Sequence, residues 1–394
     1  MKQLGLNYCS RYSFLPHMIS LQPNRYLDMH ILCMHGAWHT VSFDPSFPFF
    51  PSAISLSDNL SSAFTLLTTL IIMAYRPLDV QKYTIGWLCA LPIELAAARL
   101  LLDKKHEELP YDPNDDTQYT LGSIRDHNVV IGCLSAGEPG IGPAATIATR
   151  MRAKFPNLRF GLMVGVGGGV PGKKDVRLGD VVVSQPANGY GGVVQYRFGK
   201  YEQDGFVPTG FLNAPPQSLR QALANLQAYH IEENNSVSPY LATFESRANF
   251  RRPESEDILF MPTSNHIKDE ETCGKCNKSQ RADRGSREHN SPVIHYGTIA
   301  SGDCVMKNGE ERDLVSSKFG GVLCFEMEAA GLMNNWPCLV IRGICDYADS
   351  HKNKGWQPYA AATAAAYAKE VLSVIPVAEV DKTRTVNEAI LSVR

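Results

Sequence analysis

At 394 residues, 44% of them hydrophobic and 20% charged, the chain is long enough to bury one large α/β core or two modest ones. Its 38 basic and 40 acidic residues leave a formal net charge of -2, so no overall field draws it to nucleic acid or to an anionic membrane. Ten cysteines are scattered along it, several inside apolar runs, a distribution that fits reduced thiols in the cytoplasm better than a disulfide framework.

Residues 1–78 mix aromatics, Pro, His and Ser without a sustained period and are expected to form an irregular extension. Met73 then makes a natural start for the globular part. The most apolar stretch, residues 62–74 (SAFTLLTTLIIMA), carries several Thr and falls short of the about 20 residues that a membrane span needs. It also lies too far from the N-terminus for a signal peptide, so no membrane partner is expected.

Residues 83–90 (YTIGWLCA) read as a buried strand, and LPIELAAARLLLDKK as an amphipathic helix with Pro92 in its first turn and lysines at its end. Glu94 therefore stands at a helix start just past a strand. Residues 116–124 and 128–136 predict a hairpin, and residues 140–155 (GIGPAATIATRMRAKF) a helix opened by glycine. Another buried strand follows in FGLMVGVGGGVPG, residues 160–172. Gly167, Gly169 and Gly172 there satisfy G-x-G-x-x-G, but Pro171 and KKDVRLGDVVVS lead into a further strand, whereas the dinucleotide fingerprint needs a helix to receive the pyrophosphate. Gly167 and Gly168 are expected instead to let a ligand approach the backbone.

The region 188–290 is polar, with a helix near SLRQALANLQ and a loop-like insertion over residues 266–287. Cys273 and Cys276 form a single C-x-x-C with His266 and His289 nearby, a set with the right atoms for tetrahedral zinc. A second pair at regular spacing is missing, and no metal or cofactor is expected. Residues 275–287 set five basic side chains against Asp283, which suits a solvated loop or one that holds substrate phosphates. Strand character returns in IHYGTIASGD, residues 294–303.

The most informative stretch is VLCFEMEAAGLMNNWPCLVIRGICDYAD, residues 322–349. CLVIRGIC is an apolar run of strand length, so Asp346 falls at the carboxyl end of a buried strand, where open α/β sheets place ligands. EMEAAGLM predicts a helix start whose acids sit in the first turn. Glu326 and Glu328 do not share a helical face, so one is expected to serve solvent or backbone while the other points inward with Met327. An Ala-rich helix over residues 356–375 closes the domain, and residues 377–394 read as a linker or tail.

In this order YTIGWLCALPIELAAA, MVGVGGGVP with VRLGDVVVS, HYGTIASGD, CFEMEAAGLMN and VIRGICDYADSHKNKGWQPYAAATAAA resemble the nucleoside phosphorylase/uridine phosphorylase superfamily. The version resembled most is the one fused to fungal ankyrin or NACHT-type proteins. The resemblance covers residues 79–376 as a single catalytic domain and implies a three-layer α/β/α fold with a mixed, barrel-like sheet. It also implies a homo-oligomer that cleaves the N-glycosidic bond of a purine nucleoside or nucleotide. By resemblance, Asp346 protonates the leaving base, Glu328 grips the ribose hydroxyls and Met327 packs on the sugar, while Val305, Met306 and Trp356 line or cover the base pocket. Plain core packing is the competing account of those last three.

The departures set the subclass. Met163 and Val166 stand where phosphorylases of the superfamily carry an Arg and a Ser or Thr for phosphate, and Glu94 stands where methylthioadenosine/S-adenosylhomocysteine nucleosidases keep the glutamate that activates water. Hydrolysis is therefore expected. Phosphorolysis and a catalytically idle, nucleoside-sensing module are the alternatives. Cys345 replaces the Ser usual beside the catalytic Asp in those nucleosidases.

Overall fold

The computed structural model describes residues 77–172, 174–233, 238–270, 272–352 and 354–391, together with the backbone of three strands upstream. The chain separates into two units, residues 1–75 and 76–394. In the first unit, strands β1 (Pro16–Leu21), β2 (Leu27–Leu32) and β3 (Trp38–Phe43) form an antiparallel sheet in sequential order. Apolar and polar residues alternate there for only about six positions at a time, too short a run to stand out from the aromatic and Pro-rich segments between them. The apolar stretch at 62–74 and Met73 lie outside the described residues.

The second unit is built on an eleven-stranded mixed sheet. Strand β8 (Phe160–Gly169) is its spine. Parallel to it run β4 (Ile85–Cys89) on one side and β16 (Cys338–Asp346) on the other. Beyond β4 come β7 (His127–Cys133), β6 (Thr120–Ile124) and the two-residue β5 (Lys104–Lys105), the first two forming the hairpin that the sequence predicts. The lysines read as a helix end lie in β5 instead, paired with Gly122 and Ser123.

On its other flank the sheet curls. Strand β16 pairs antiparallel with β9 (Val181–Ser184), which pairs with β13 (Ile294–Gly297). One residue, Thr298, separates β13 from β14 (Ile299–Ser301), which pairs with β15 (Cys324–Glu326), which returns to β8. The path closes on itself as a barrel-like turn of the sheet, as expected. A short strand, β10 (Val193–Gln195), extends it beside β14; β11 (Gly199–Glu202) and β12 (Gly205–Pro208) pair as a separate hairpin, and helix α4 (Gly309–Lys318) follows β14 in sequence.

Alternation along the central strands divides the core into two faces. Trp87, Leu162, Leu339 and Ile341 pack on one face with helices α1 (Pro92–Leu100), α3 (Gln217–Glu232) and α5 (Gln357–Ser373). Leu88, Met163, Val340 and Ile344 pack on the other with α2 (Ile141–Lys154). This is a three-layer α/β/α architecture. Every residue of β16 is buried, which is why its sequence reads as one apolar run rather than an alternating one.

Helix α5 approaches β16 unusually closely because Ala faces the strand and Gly343 lies beneath it. A Cβ on Gly343 would stand 1.8 Å from the Ala360 carbonyl oxygen. Residues 377–391, read from the sequence as linker or tail, form helices α6 (Val377–Lys382) and α7 (Val386–Leu391). Val380 and Val386 are buried in opposite faces of the core, and the Val386 N–H donates to the Leu158 carbonyl at 2.7 Å. No single helix among the described residues is long and apolar enough to cross a membrane. Each described cysteine is a free thiol.

Because the α5 backbone rather than a flexible side chain would meet the new methyl group, Gly343→Ala is expected to cost about 1–3 kcal/mol or more, read as a lower urea midpoint at unchanged slope. An unchanged midpoint would mean that α5 does not sit on β16 as described.

Candidate active site

Strand β8 has a gap along one edge. Strand β4 pairs with it as far as Met163 and β15 joins it only at Gly168, so neither strand serves the backbone of Val166. Side chains fill that place. The Val166 N–H donates to Glu94 Oε1 at 2.8 Å, and its carbonyl accepts from Arg342 Nη1 at 3.3 Å. Buried main-chain groups need partners, and here a carboxylate and a guanidinium do what an absent strand would do.

Glu94 reaches the gap from the first turn of α1, as its position past β4 predicts. Its Oε2 accepts the N–H groups of Ala90 at 2.7 Å and Leu91 at 3.0 Å, so it also caps its own helix. Burial raises its pKa from the usual 4.5, against the opposing pull of Arg342 and the three N–H donors. Gly165 makes room for this. A Cβ there would stand 2.4 Å from Glu94 Oε1 and 2.7 Å from Arg342 Nη1.

Arg342 lies in the middle of β16 with 1% of its side chain exposed. It forms ion pairs with Glu326 and, at 3.2 Å, with Glu328. The helix expected from EMEAAGLM is not formed: Cys324–Glu326 is strand β15, Glu328 follows in irregular backbone, and only a 3-10 turn spans Ala329–Gly331. Pairing of β15 with both β14 and β8 overrides the local helical preference. The strand ends at Glu326 and the chain bends through Met327 and Glu328, and both glutamates turn inward onto Arg342 where a helix would have separated them. Glu326 does serve the backbone, accepting from the N–H of Glu328 at 3.1 Å and of Ala329 at 3.0 Å. Glu328 has its pKa pushed up to about 7, first by burial and then by Glu326 and Glu94, against the attraction of Arg342.

Asp346 ends β16, as predicted. Its Oδ1 accepts the Ala348 N–H at 2.9 Å and pairs with Lys352 at 3.0 Å, while Oδ2 receives the Cys345 thiol at 3.2 Å. Gly168 stands opposite: a Cβ on it would lie 2.7 Å from Asp346 Oδ1 and 2.9 Å from the Ala348 Cβ. The glycines of β8 thus admit protein side chains, and no helix follows them. Gly167 is packed between the Phe325 carbonyl and Arg342.

The remaining expected residues scatter. Met327 is half-buried between the two glutamates. Trp356 is 1% exposed, packed with Cys345, Tyr359 and Ala360, and Arg252 lies 5.0 Å over its ring, so it belongs to the core behind Asp346. Met306 is buried with Tyr196 and Phe325, whereas Val305 is half exposed.

Two participants escape the sequence reading. Arg342 carried a signal, since a lone cation inside an apolar strand must find buried acids. Lys352 carried none, because its approach to Asp346 depends on the turn between them. Arg99, later on the same helix as Glu94, turns away from the cluster and donates through Nε to Thr120 Oγ1 at 2.7 Å.

The basic segment 275–287 contributes to a separate cavity of about 580 Å³ that also includes Arg177, Arg252 and His289 but none of the acids above. Its arginines are matched by carboxylates: Arg287 to Asp180 at 2.7 Å, Arg284 to Asp257 at 3.1 Å, Arg281 to Glu256 at 3.2 Å.

The raised pKa of Glu328 makes stability depend on pH in a definite sense. Between the unfolded value of 4.5 and the folded value of about 7 the native state holds the extra proton, so stability present below this window is lost as pH rises through it. The loss is on the order of 3 kcal/mol. Urea midpoints at intervals from pH 4.5 to 7.5 should fall in the wild type and fall less in Glu328→Gln; parallel curves would remove this residue from the titration.

No family model matches the chain. It is 47% identical over 305 residues to a nucleotide-binding leucine-rich repeat (NLR)-like protein of Hyaloscypha variabilis, across 76% of this chain and 30% of that protein. It is 25% identical over 285 residues to the ATP nucleosidase Cap17 of Escherichia coli, across 71% of this chain and 48% of the other. The chain therefore spans less than half the length of each of these relatives. It is also 26% identical over 302 residues to a 5'-methylthioadenosine/S-adenosylhomocysteine nucleosidase of Mycobacterium tuberculosis, across 75% of this chain and 97% of that enzyme. Among solved structures, the futalosine hydrolase of Helicobacter pylori aligns at a TM-score of 0.48 and 19% identity, over 74% of this chain and 98% of the other. Similarity running through almost the whole of a nucleosidase, over a mixed sheet of the expected architecture, gives the chain a fold of the nucleoside phosphorylase/nucleosidase type.

Proposed function

We propose that this domain hydrolyses the N-glycosidic bond of a purine nucleoside. The observation that carries the reading is the convergence of Glu94, Glu326, Glu328 and Arg342 at the gap in β8, with Asp346 facing Gly168 on the same strand. Cleaving that bond builds positive charge on the sugar and negative charge on the base. Three carboxylates against one guanidinium favour the cationic sugar. Asp346 delivers a proton to the departing base through Oδ2, since Oδ1 is taken by Lys352 and the Ala348 N–H. The Cys345 thiol beside Oδ2 holds the place that a hydroxyl takes in the nucleosidases resembled.

Glu328 is assigned to the ribose hydroxyls and Glu94 to the attacking water. Glu94 spends three acceptor positions on backbone N–H groups, which fixes the carboxylate and leaves a lone pair to orient a water molecule. Its raised pKa brings it nearer the range in which a general base works at neutral pH.

Phosphorolysis needs fixed cations or hydroxyls to hold a dianion beside the ribosyl carbon. Met163 is wholly buried in the core, Val166 offers only its main chain, and Arg342 is surrounded by acids. The site's excess of carboxylates repels phosphate. The arginines of segment 275–287, the motive for a 5′-phosphate preference, are engaged by acids, and no such requirement is proposed.

Incubation of purine nucleosides in phosphate-free buffer should release base and free ribose at a rate that added phosphate does not raise. Strict phosphate dependence with ribose 1-phosphate as product would overturn the hydrolytic reading. Asp346→Asn should lower turnover about 100-fold or more with little change in thermal midpoint, as expected for loss of a general acid. Near-normal turnover in that variant would take Asp346 out of the mechanism.

A further inference from the structure

We propose that His266, Cys273, Cys276 and His351 form a tetrahedral Zn2+ site that ties the polar insertion to the segment following Asp346. Ligand atoms of His266, Cys273 and Cys276 lie within 4.8 Å of one another. Ligands on one zinc ion are separated by about 3.3–3.8 Å when Zn–S is near 2.3 Å and Zn–N near 2.0 Å, so small side-chain movements close the set. Nδ1 of His266 lies 2.8 Å from the Ile267 carbonyl. An N–H donated there fixes the tautomer and leaves Nε2 with the lone pair that a metal takes.

The fourth ligand comes from outside the C-x-x-C neighbourhood. His351 is 8% exposed, and neither of its ring nitrogens has a hydrogen-bond partner. Buried imidazole nitrogens without partners call for an explanation, and an ion supplies one. The Cys273 thiol points at the carbonyl of the same residue at 3.8 Å, so the histidine stands beside the C-x-x-C turn. Its ring centre lies 5.6 Å from that of His266, near the about 5 Å that two imidazoles on a single zinc would have. Phe260 stacks on the His351 ring at 3.9 Å and shields it. Asp349 Oδ1 lies 3.7 Å from Nδ1, placed to orient the ring from the second shell with Nε2 toward the metal. His289, the partner that sequence proximity suggests, lines the arginine cavity instead.

The site has a mechanical consequence. The insertion already touches the segment after Asp346 through the His266 N–H, which donates to Ser350 Oγ at 2.9 Å. Zinc would convert this contact into a cross-link next to Lys352, the partner of Asp346. The proposal stands independently of which bond the domain cleaves.

Full-length protein purified under reducing conditions and equilibrated with zinc is expected to carry about one zinc ion per chain by elemental analysis. With Co2+ in its place, it should give a thiolate-to-cobalt charge-transfer band and the intense visible bands of tetrahedral cobalt. Cys273→Ser with Cys276→Ser should reduce bound zinc to less than about a tenth of that content, and His351→Ala should weaken cobalt affinity by about 10-fold or more, while His289→Ala leaves it unchanged. Wild-type protein that binds no zinc and gives no cobalt–thiolate band would overturn the proposal. So would a Cys273–Cys276 disulfide found by mass spectrometry under the same reducing conditions, or His351→Ala with undiminished affinity and the same tetrahedral bands. The cobalt spectrum of the wild type decides the matter even where a variant fails to fold.

Discussion

The buried guanidinium of Arg342 sets the terms for the centre of this molecule. A cation taken out of water costs more than any single contact returns, so the structure surrounds it with Glu326 and Glu328 directly and with Glu94 nearby. The consequences spread along the backbone. Strand β8 lacks a neighbouring strand along one edge at Val166, where Glu94 and Arg342 serve its main-chain groups, and Gly165 gives both side chains the space they need. Strand β15 must end at Glu326 and the chain bend through Met327 and Glu328, so that both glutamates reach Arg342. Removing one member would strand the others in a low-dielectric interior, so the cluster acts as a unit rather than as separable pairs.

That same cluster accounts for the character of the site. Three carboxylates around one guanidinium keep the region acidic in balance while burial resists full ionisation, and Glu328 is held near neutrality as a result. A site of this kind favours developing positive charge and disfavours an incoming dianion. Structural and chemical demands coincide: the acids that let Arg342 be buried are those that the proposed reaction uses against developing positive charge.

Much of the fold was legible because its central elements carry strong signals. Residues 338–346 and 160–169 are apolar runs of strand length, and the helices at 92–100 and 141–154 open on Pro92 and Gly140. The positions of Asp346 at a strand end and Glu94 in the first turn of a helix are legible for the same reason, since each of the two strands has a plain end. Residues 324–331 were misread because Ala, Leu, Met and Glu favour a helix locally, whereas the segment's place in the sheet is decided by strands far away in sequence. For Trp356 the sequence leaves base-pocket cover and core packing open, and the residue packs in the core with Cys345, Tyr359 and Ala360, since an aromatic residue's position in sequence does not say which side of a strand it covers. His351 and Lys352 were invisible for a geometric reason: nothing in the string indicates how the chain turns after Asp346.

That turn is itself constrained. Ala348 adopts a φ of 52°, a left-handed conformation that residues with a Cβ rarely take and that persists only when the surroundings over-determine it. Here they do. The Ala348 N–H is spent on Asp346 Oδ1, and its Cβ occupies the space left by Gly168. Buried Arg312 holds the Tyr347 carbonyl at 2.9 Å and approaches Asp349 at 3.8 Å. The Tyr347 hydroxyl donates to Asp257 at 2.5 Å, and Lys352 returns to Asp346. Together these contacts hold Asp346, Tyr347, Ala348, Asp349 and Lys352, so the carboxylate at the end of β16 is oriented by a strained turn clamped at several points. A loop free to relax would release Ala348 from its left-handed state and swing Asp346 away from Gly168. The strain is therefore tied to the position of the acid, which Arg312 and Lys352 hold through the turn.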